Sequence, residues 1–223
     1  MARMKFLCDA ERCIECNACV TACKSEHEVP WGVNRRRVVT INDGIEKAEK
    51  SISVACMHCS DAPCMAVCPV DCFYKTEQGV VLHDKDLCIG CGYCFYACPF
   101  GAPQFPQVGA FAMRGKMDKC TFCAGGPEKD NSNEERVKYG RNRLAEGKLP
   151  ACAEMCSTKA LLGGDADVLS DIYRDRVTRR GKGGEMWGWS TAYGPGGGAA
   201  GSPPPAAPPA PAPAPAPAPA TKS

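Results

Sequence analysis

The chain has no apolar run long enough to span a bilayer, for which about 20 mainly apolar residues are needed. It therefore brings no transmembrane helix of its own. Its first residues, MARMKFLCDAERC, contain neither an apolar signal core nor a twin arginine, so no export signal is expected there. Charge of one sign is also missing: 27 Lys and Arg against 25 Asp and Glu leave a formal +2, which argues against nucleic acid as the main partner. Histidine is scarce, and its three copies do not cluster or stand near a serine in any nucleophile–base arrangement. None of the 23 glycines builds a Rossmann or Walker loop behind a strand. Bond-making chemistry has no visible home here.

Cysteine, by contrast, is abundant: 18 in 223 residues. A disulfide scaffold would suit that number, but repeated C-x2-C pairs are poor disulfide partners and good metal ligands. The stretch DLCIGCGYCFYACPF places Cys88, Cys91, Cys94 and Cys98 at spacings of 2, 2 and 3, with Pro99 next. This is the spacing of cubane iron–sulfur ligation, in which the fourth thiolate serves a second cluster. Such a motif requires a neighbour. Three more are present: Cys13, Cys16, Cys19 and Cys23; Cys56, Cys59, Cys64 and Cys68; and the split set Cys120, Cys123, Cys152 and Cys156.

Between the motifs the chain reads as short elements. Lys5 to Leu7 is a strand, Arg35 to Asp43 a second, and Phe73 to His83 a hairpin turning at Gln78-Gly79. The triplet Arg35-Arg36-Arg37 is either a solvated strand end or a set of charges facing a cluster or partner. GAPQFPQVGAF, after Pro99, is too rich in breakers to be helical. Gly125 to Pro150 is a charged excursion, a solvated loop or a docking element. Ala160 to Leu162 is a strand and Asp165 to Arg180 a terminal helix. Trp187 and Trp189 are either locally packed or anchors on another subunit, and the Pro/Ala tail from Gly194 is a semi-extended spacer. Cys8 and Cys72 fall outside the motifs and read as small buried residues near a cluster; His58, between two ligands, reads as a neighbour of a cluster.

Motif order suggests the pairing. The adjacent second and third motifs exchange fourth cysteines, giving Cys56, Cys59, Cys64 with Cys98, and Cys88, Cys91, Cys94 with Cys68. The outer motifs pair likewise, giving Cys13, Cys16, Cys19 with Cys156, and Cys120, Cys123, Cys152 with Cys23. The expectation is an α+β fold of duplicated ferredoxin-like βαββαβ units binding four [4Fe-4S] clusters. One unit spans residues 1–53 and 114–164, with the second, 54–113, inserted in it. Residues 165–193 form a C-terminal helix and docking segment, and 194–223 a disordered tail. Four thiolates make each cubane anionic, so several lysines and arginines are expected as counter-charges. Structural zinc on the split motif is the competing reading.

This order of motifs, from about Met4 to Gly164, resembles the four-cluster subunits of the molybdenum and tungsten enzymes of the dimethyl sulfoxide reductase family. Within it, the stretch CPVDCFYKTEQGVVLHDKDLCIGCGYCFYACPFGAPQFP and the segment KLPACAEMC are similar to the beta subunits of formate dehydrogenases. The resemblance implies an electron-transfer subunit, not an enzyme in isolation. Its partner would be a catalytic alpha subunit carrying a molybdopterin-type cofactor, and its acceptor a membrane cytochrome b gamma subunit or a soluble carrier. It also implies a place at the periplasmic face of the inner membrane, reached by export with the partner, or else in the cytoplasm. A beta subunit for polysulfide or thiosulfate chemistry and a free-standing polyferredoxin are the other readings. Prolines are missing after Cys23 and Cys156, where Lys24 and Ser157 stand.

Overall fold

A computed structural model of the chain describes residues 3–45, 48–108, 113–127 and 132–180. Trp187, Trp189 and the Pro/Ala tail lie outside these. In chain order the elements are β1 (Met4–Cys8), α1 (Ala18–His27), β2 (Arg36–Ile41), β3 (Lys50–Ala55), α2 (Pro63–Ala66), β4 (Phe73–Lys75) and β5 (Val81–His83). Then follow α3 (Tyr93–Ala97), β6 (Gln107–Val108), β7 (Met113–Arg114), α4 (Asn133–Tyr139), α5 (Ala151–Glu154), β8 (Leu161–Asp165) and α6 (Ala166–Arg180).

Among the described residues the strands form four two-stranded antiparallel sheets: β1 with β8, β2 with β3, β4 with β5, and β6 with β7. β1 and β8 meet in the register Cys8↔Leu161, so the strand entering the first motif lies beside the strand leaving the last. With α1, the β2–β3 hairpin and α5, this outer half completes a βαββαβ path. The inserted half is shorter than expected: α2, the β4–β5 hairpin and α3, with no outer strand pair of its own among the described residues. The cause is local. β3 is already paired with β2 and runs directly into Cys56, while the chain past Pro99 pairs only with its own continuation, in the isolated bridge Gln104↔Asp118 and the two-residue β6–β7 ladder. Pro103 and Pro106 on either side of Gln104 withhold the amides a longer ladder needs.

Among the described residues three of the four buried apolar groups are built on cysteines, and the fourth joins Val80, Leu82 and Phe122. One buried group joins Cys64, Cys72, Cys88 and Cys94 to Phe73, Val81 and Met117; a second joins Cys19, Cys152 and Cys156 to Leu161; a third joins Cys56 and Cys120. Phe6 and Phe122 stack across the outer half at 4.3 Å between ring centroids.

The charged excursion is not a loop throughout. The Ser132 hydroxyl accepts the Glu135 amide at 3.2 Å and caps α4, which ends at buried Tyr139. Gly140 follows in a left-handed conformation, where a Cβ would collide with the His27 ring. α6 forms over the residues expected, but of its apolar positions only Leu169 is buried, and Val168 and Ile172 stay exposed. Arg176 holds it instead, donating to the Lys159 carbonyl at 2.9 Å and pairing with buried Asp9 at 3.5 Å.

Candidate metal centres

Each cysteine motif begins with the same turn. The residue two positions after the first cysteine is left-handed in all four: Glu15, His58, Gly90 and Phe122. In three of them that residue's amide turns back onto the preceding sulfur. The Phe122 N–H reaches Cys120 Sγ at 3.4 Å, and the amides of His58 and Gly90 do the same to Cys56 and Cys88. An N–H aimed at a thiolate favours its charged form. Only glycine adopts this conformation without steric cost, yet three of the four positions carry a side chain.

The structure gathers the sixteen motif cysteines as follows. Cys56, Cys59, Cys64 and Cys98 line one cavity, walled by Pro63, Phe100 and Lys119. Cys68, Cys88, Cys91 and Cys94 line another with Ile89, Phe105 and Met117. Cys19 and Cys156 share an apolar group with half-buried Cys13, while Cys16 of the same motif is exposed. Cys23 lies within the fields of Cys120, Cys152 and Cys123, all four buried. Where Lys24 replaces proline, α1 continues for another turn past Cys23. That extra turn delivers His27, whose Nε2 is 3.1 Å from Cys123 Sγ; burial holds this imidazole down at about 4, so it is neutral.

Burial raises the thiols of Cys64 to about 11 and of Cys94 and Cys123 to about 12, and also those of Cys56, Cys120 and Cys152. Such sulfurs become thiolates only against a cation. The donor set therefore fits a bound iron–sulfur group. A lone ion would draw four sulfurs to about 2.3 Å and leave no cavity between them. Among the described residues no three His, Cys, Asp or Glu converge on such single-ion geometry.

Both leftover cysteines stand beside a motif. Cys72 is buried in the wall of the second cavity, 3.5 Å from Cys68 Sγ, and its S–H also stabilises the Cys88 thiolate, which is lowered accordingly. Cys8 is half-buried rather than buried; its sulfur accepts the Ser53 amide at 3.2 Å. His58 is a strut: its Nδ1 accepts the Val81 amide at 3.1 Å and its ring meets Phe122 edge-on. Of the arginine triplet, Arg35 and Arg36 are buried, so the solvated reading fails for them. Arg35 pairs with Asp118 at 2.8 Å. Arg36 stacks 4.3 Å above Phe6 and donates to Ser53 Oγ, which in turn contacts Cys19 Sγ at 3.2 Å. Lys119, fully buried and donating to the Val81 and Cys120 carbonyls, was not singled out by sequence. Its one sequence signal is adjacency to Cys120, and exposed Lys116 nearby shows how little that says about burial.

Residues 47–138 match the family model of the 4Fe-4S dicluster domain. The chain is 64% identical over 194 residues to the formate dehydrogenase iron–sulfur subunit of Wolinella succinogenes, covering 86% of this chain and 97% of that one. It is 37% identical to the thiosulfate reductase electron transfer subunit of Salmonella typhi, over 79% of this chain and 87% of that one. It is 34% identical to a subunit of the anaerobic dimethyl sulfoxide reductase of Escherichia coli K12, over 76% of this chain and 77% of that one. With thiol-lined cavities in its core and this likeness along most of its length, the chain belongs to the family of iron–sulfur electron-transfer subunits of oxidoreductase complexes that these relatives represent.

Proposed function

We propose that this chain is the electron-transfer subunit of a formate dehydrogenase, holding four [4Fe-4S] clusters between a catalytic partner and an acceptor. The observation that carries the reading is 64% identity running along 97% of a formate dehydrogenase iron–sulfur subunit. Cys56, Cys59, Cys64 and Cys98 would hold one cluster, and Cys68, Cys88, Cys91 and Cys94 the second. Cys13, Cys16, Cys19 and Cys156 would hold the third, and Cys23, Cys120, Cys123 and Cys152 the fourth. When bound, these groups supply one-electron transfer at potentials set by hydrogen bonds to sulfur, burial and nearby charge.

The chain's own residues do the rest. Apolar residues such as Phe105 and Met117 wall the buried sulfurs of Cys88 and Cys94. Amides of Met117, Leu161 and Phe122 reach Cys88, Cys156 and Cys120 at 3.3 to 3.4 Å and hold their negative charge in place. Two motif thiols, Cys16 and Cys91, are exposed and belong to different centres, which gives the row two points of surface access. Formate oxidation itself belongs to a molybdopterin-bearing alpha subunit, with a cytochrome b gamma subunit or a soluble carrier receiving the electrons. No helix among the described residues is long and apolar enough to cross a membrane.

Anaerobic co-purification tests the reading. The expected preparation contains a large catalytic subunit, reduces dye with formate, and carries about sixteen irons on this chain, four per cubane. A folded, active complex with far less iron on this chain would overturn it, and dye reduction by thiosulfate chemistry alone would move the chain to another branch of the family.

A further inference from the structure

Lys119 is an ammonium in an unusual place. It is completely buried, its Nζ donates only to backbone carbonyls of Val81 and Cys120 (the latter at 3.2 Å), and among the described residues no carboxylate pairs with it. The neighbouring acid, Asp118, is already committed to Arg35 at 2.8 Å and Lys85 at 3.8 Å. A buried charge without a counter-charge costs several kcal/mol, so a fold keeps one only where something anionic faces it. Lys119 lines the cavity of Cys56, Cys59, Cys64 and Cys98, and through Cys120 it abuts the next centre. Arg36 is the second such cation. It is nearly fully buried, sits over Phe6, donates to Ser53 Oγ at 3.0 Å, and lies in the field of Cys152, Cys120, Cys23 and Cys19. Neither cation lines the cavity of Cys68, Cys88, Cys91 and Cys94.

We propose that Lys119 and Arg36 are positioning charges that set the potentials of three of the four centres, with the Cys23–Cys120–Cys123–Cys152 centre lying under both. The proposal rests on the ligand sets given above. A cation held in a low-dielectric interior stabilises the more negative, reduced state of a neighbouring centre, and so raises its potential. Lys119 acts on the Cys56 and Cys120 centres; Arg36 acts on the Cys120 and Cys19 centres. The Cys68 centre has neither cation in its wall. The two cations thus overlap on one centre, which makes the pattern of shifts diagnostic.

The test is an EPR-monitored redox titration of the anaerobically purified complex carrying Lys119→Met, Lys119→Arg or Arg36→Met. Lys119→Met is expected to raise the oxidised-to-reduced ratio at fixed potential about tenfold at two centres, a lowering of about 59 mV for a one-electron couple. Arg36→Met should move two centres as well, one of them in common, and Lys119→Arg should leave all four near their native midpoints. Unchanged midpoints with full iron in Lys119→Met, or equal shifts in Lys119→Arg, overturn the proposal while leaving the ligand sets standing. Iron loss in Lys119→Met with full iron in Lys119→Arg supports it, because Lys119→Arg retains the cation that Lys119→Met lacks; iron loss in both overturns it. A native complex without four cubane signals would refute the ligand sets and the proposal with them.

Discussion

His83 lies fully buried between Phe73 and Tyr139, with ring centroids 6.3 and 5.7 Å away. Burial first, then the fields of Lys119, Lys85 and Arg35, push its pKa well below the ordinary 6.5. The folded chain thus keeps this imidazole neutral where the unfolded chain protonates it. Stability from that source is complete above about pH 6.5 and falls as pH drops below it, by about 1.4 kcal/mol per pH unit until the folded group itself titrates. Replacing His83 with Phe, which fills a site already walled by aromatic rings, is expected to flatten the acid side of the curve. Anaerobic thermal unfolding at pH 7.5 and 5.5 measures it; an unchanged difference between native and variant at the two pH values rules this source out. Residue-scale facts of this kind were the least legible in the sequence. A scattered histidine carries no mark of its depth, and of the four left-handed turn residues only Gly90 announces its conformation, while Glu15, His58 and Phe122 adopt it under tertiary constraint.

At the scale of elements, the sequence was most legible where cysteine spacing dictates the backbone. Cys94 on α3 and Cys98 at its end follow from the 3-residue step, and Gly79 marks the turn of the β4–β5 hairpin. It was least legible in the excursion after Cys123, where polarity conceals a structural purpose. The signature was present, Ser132 followed three residues later by Glu135, but charge masked it. α4 carries Tyr139 into the core, where its hydroxyl accepts the Lys85 amide and donates to Asp84 at 3.4 Å, beside the entry to the third motif. Tyr139→Phe keeps the ring and removes both bonds, leaving the half-buried Lys85 N–H without its partner. A loss of about 1–3 kcal/mol is expected in anaerobic denaturant unfolding. A midpoint unchanged within error would show that α4 rides on the surface and anchors nothing.

For the whole molecule, the ordinary source of stability is thin. Three of the four buried groups among the described residues are built around thiols, and only the group of Val80, Leu82 and Phe122 is not. The proposed crossing of motifs rests on ligand chemistry, which leaves a fourth cysteine that its own motif cannot use. Sequence reasoning did not reach the buried cations, whose identity depends on which of 27 Lys and Arg the fold happens to enclose. The crossing has a consequence that separates it from four self-contained sites. Cys68 belongs by sequence to the second motif, but it lies in the cavity wall with Cys88, Cys91 and Cys94, next to Cys72. Cys68→Ser is therefore expected to damage the centre of the third motif and spare that of Cys56, Cys59 and Cys64, whose fourth cavity cysteine is Cys98. EPR and iron analysis of this variant beside Cys98→Ser would show two different signals lost, each in the motif that does not contain the substitution. Were Cys68→Ser to abolish the Cys56 signal and leave the other intact, each motif would be closing on itself, and the folding of one motif would no longer depend on the other.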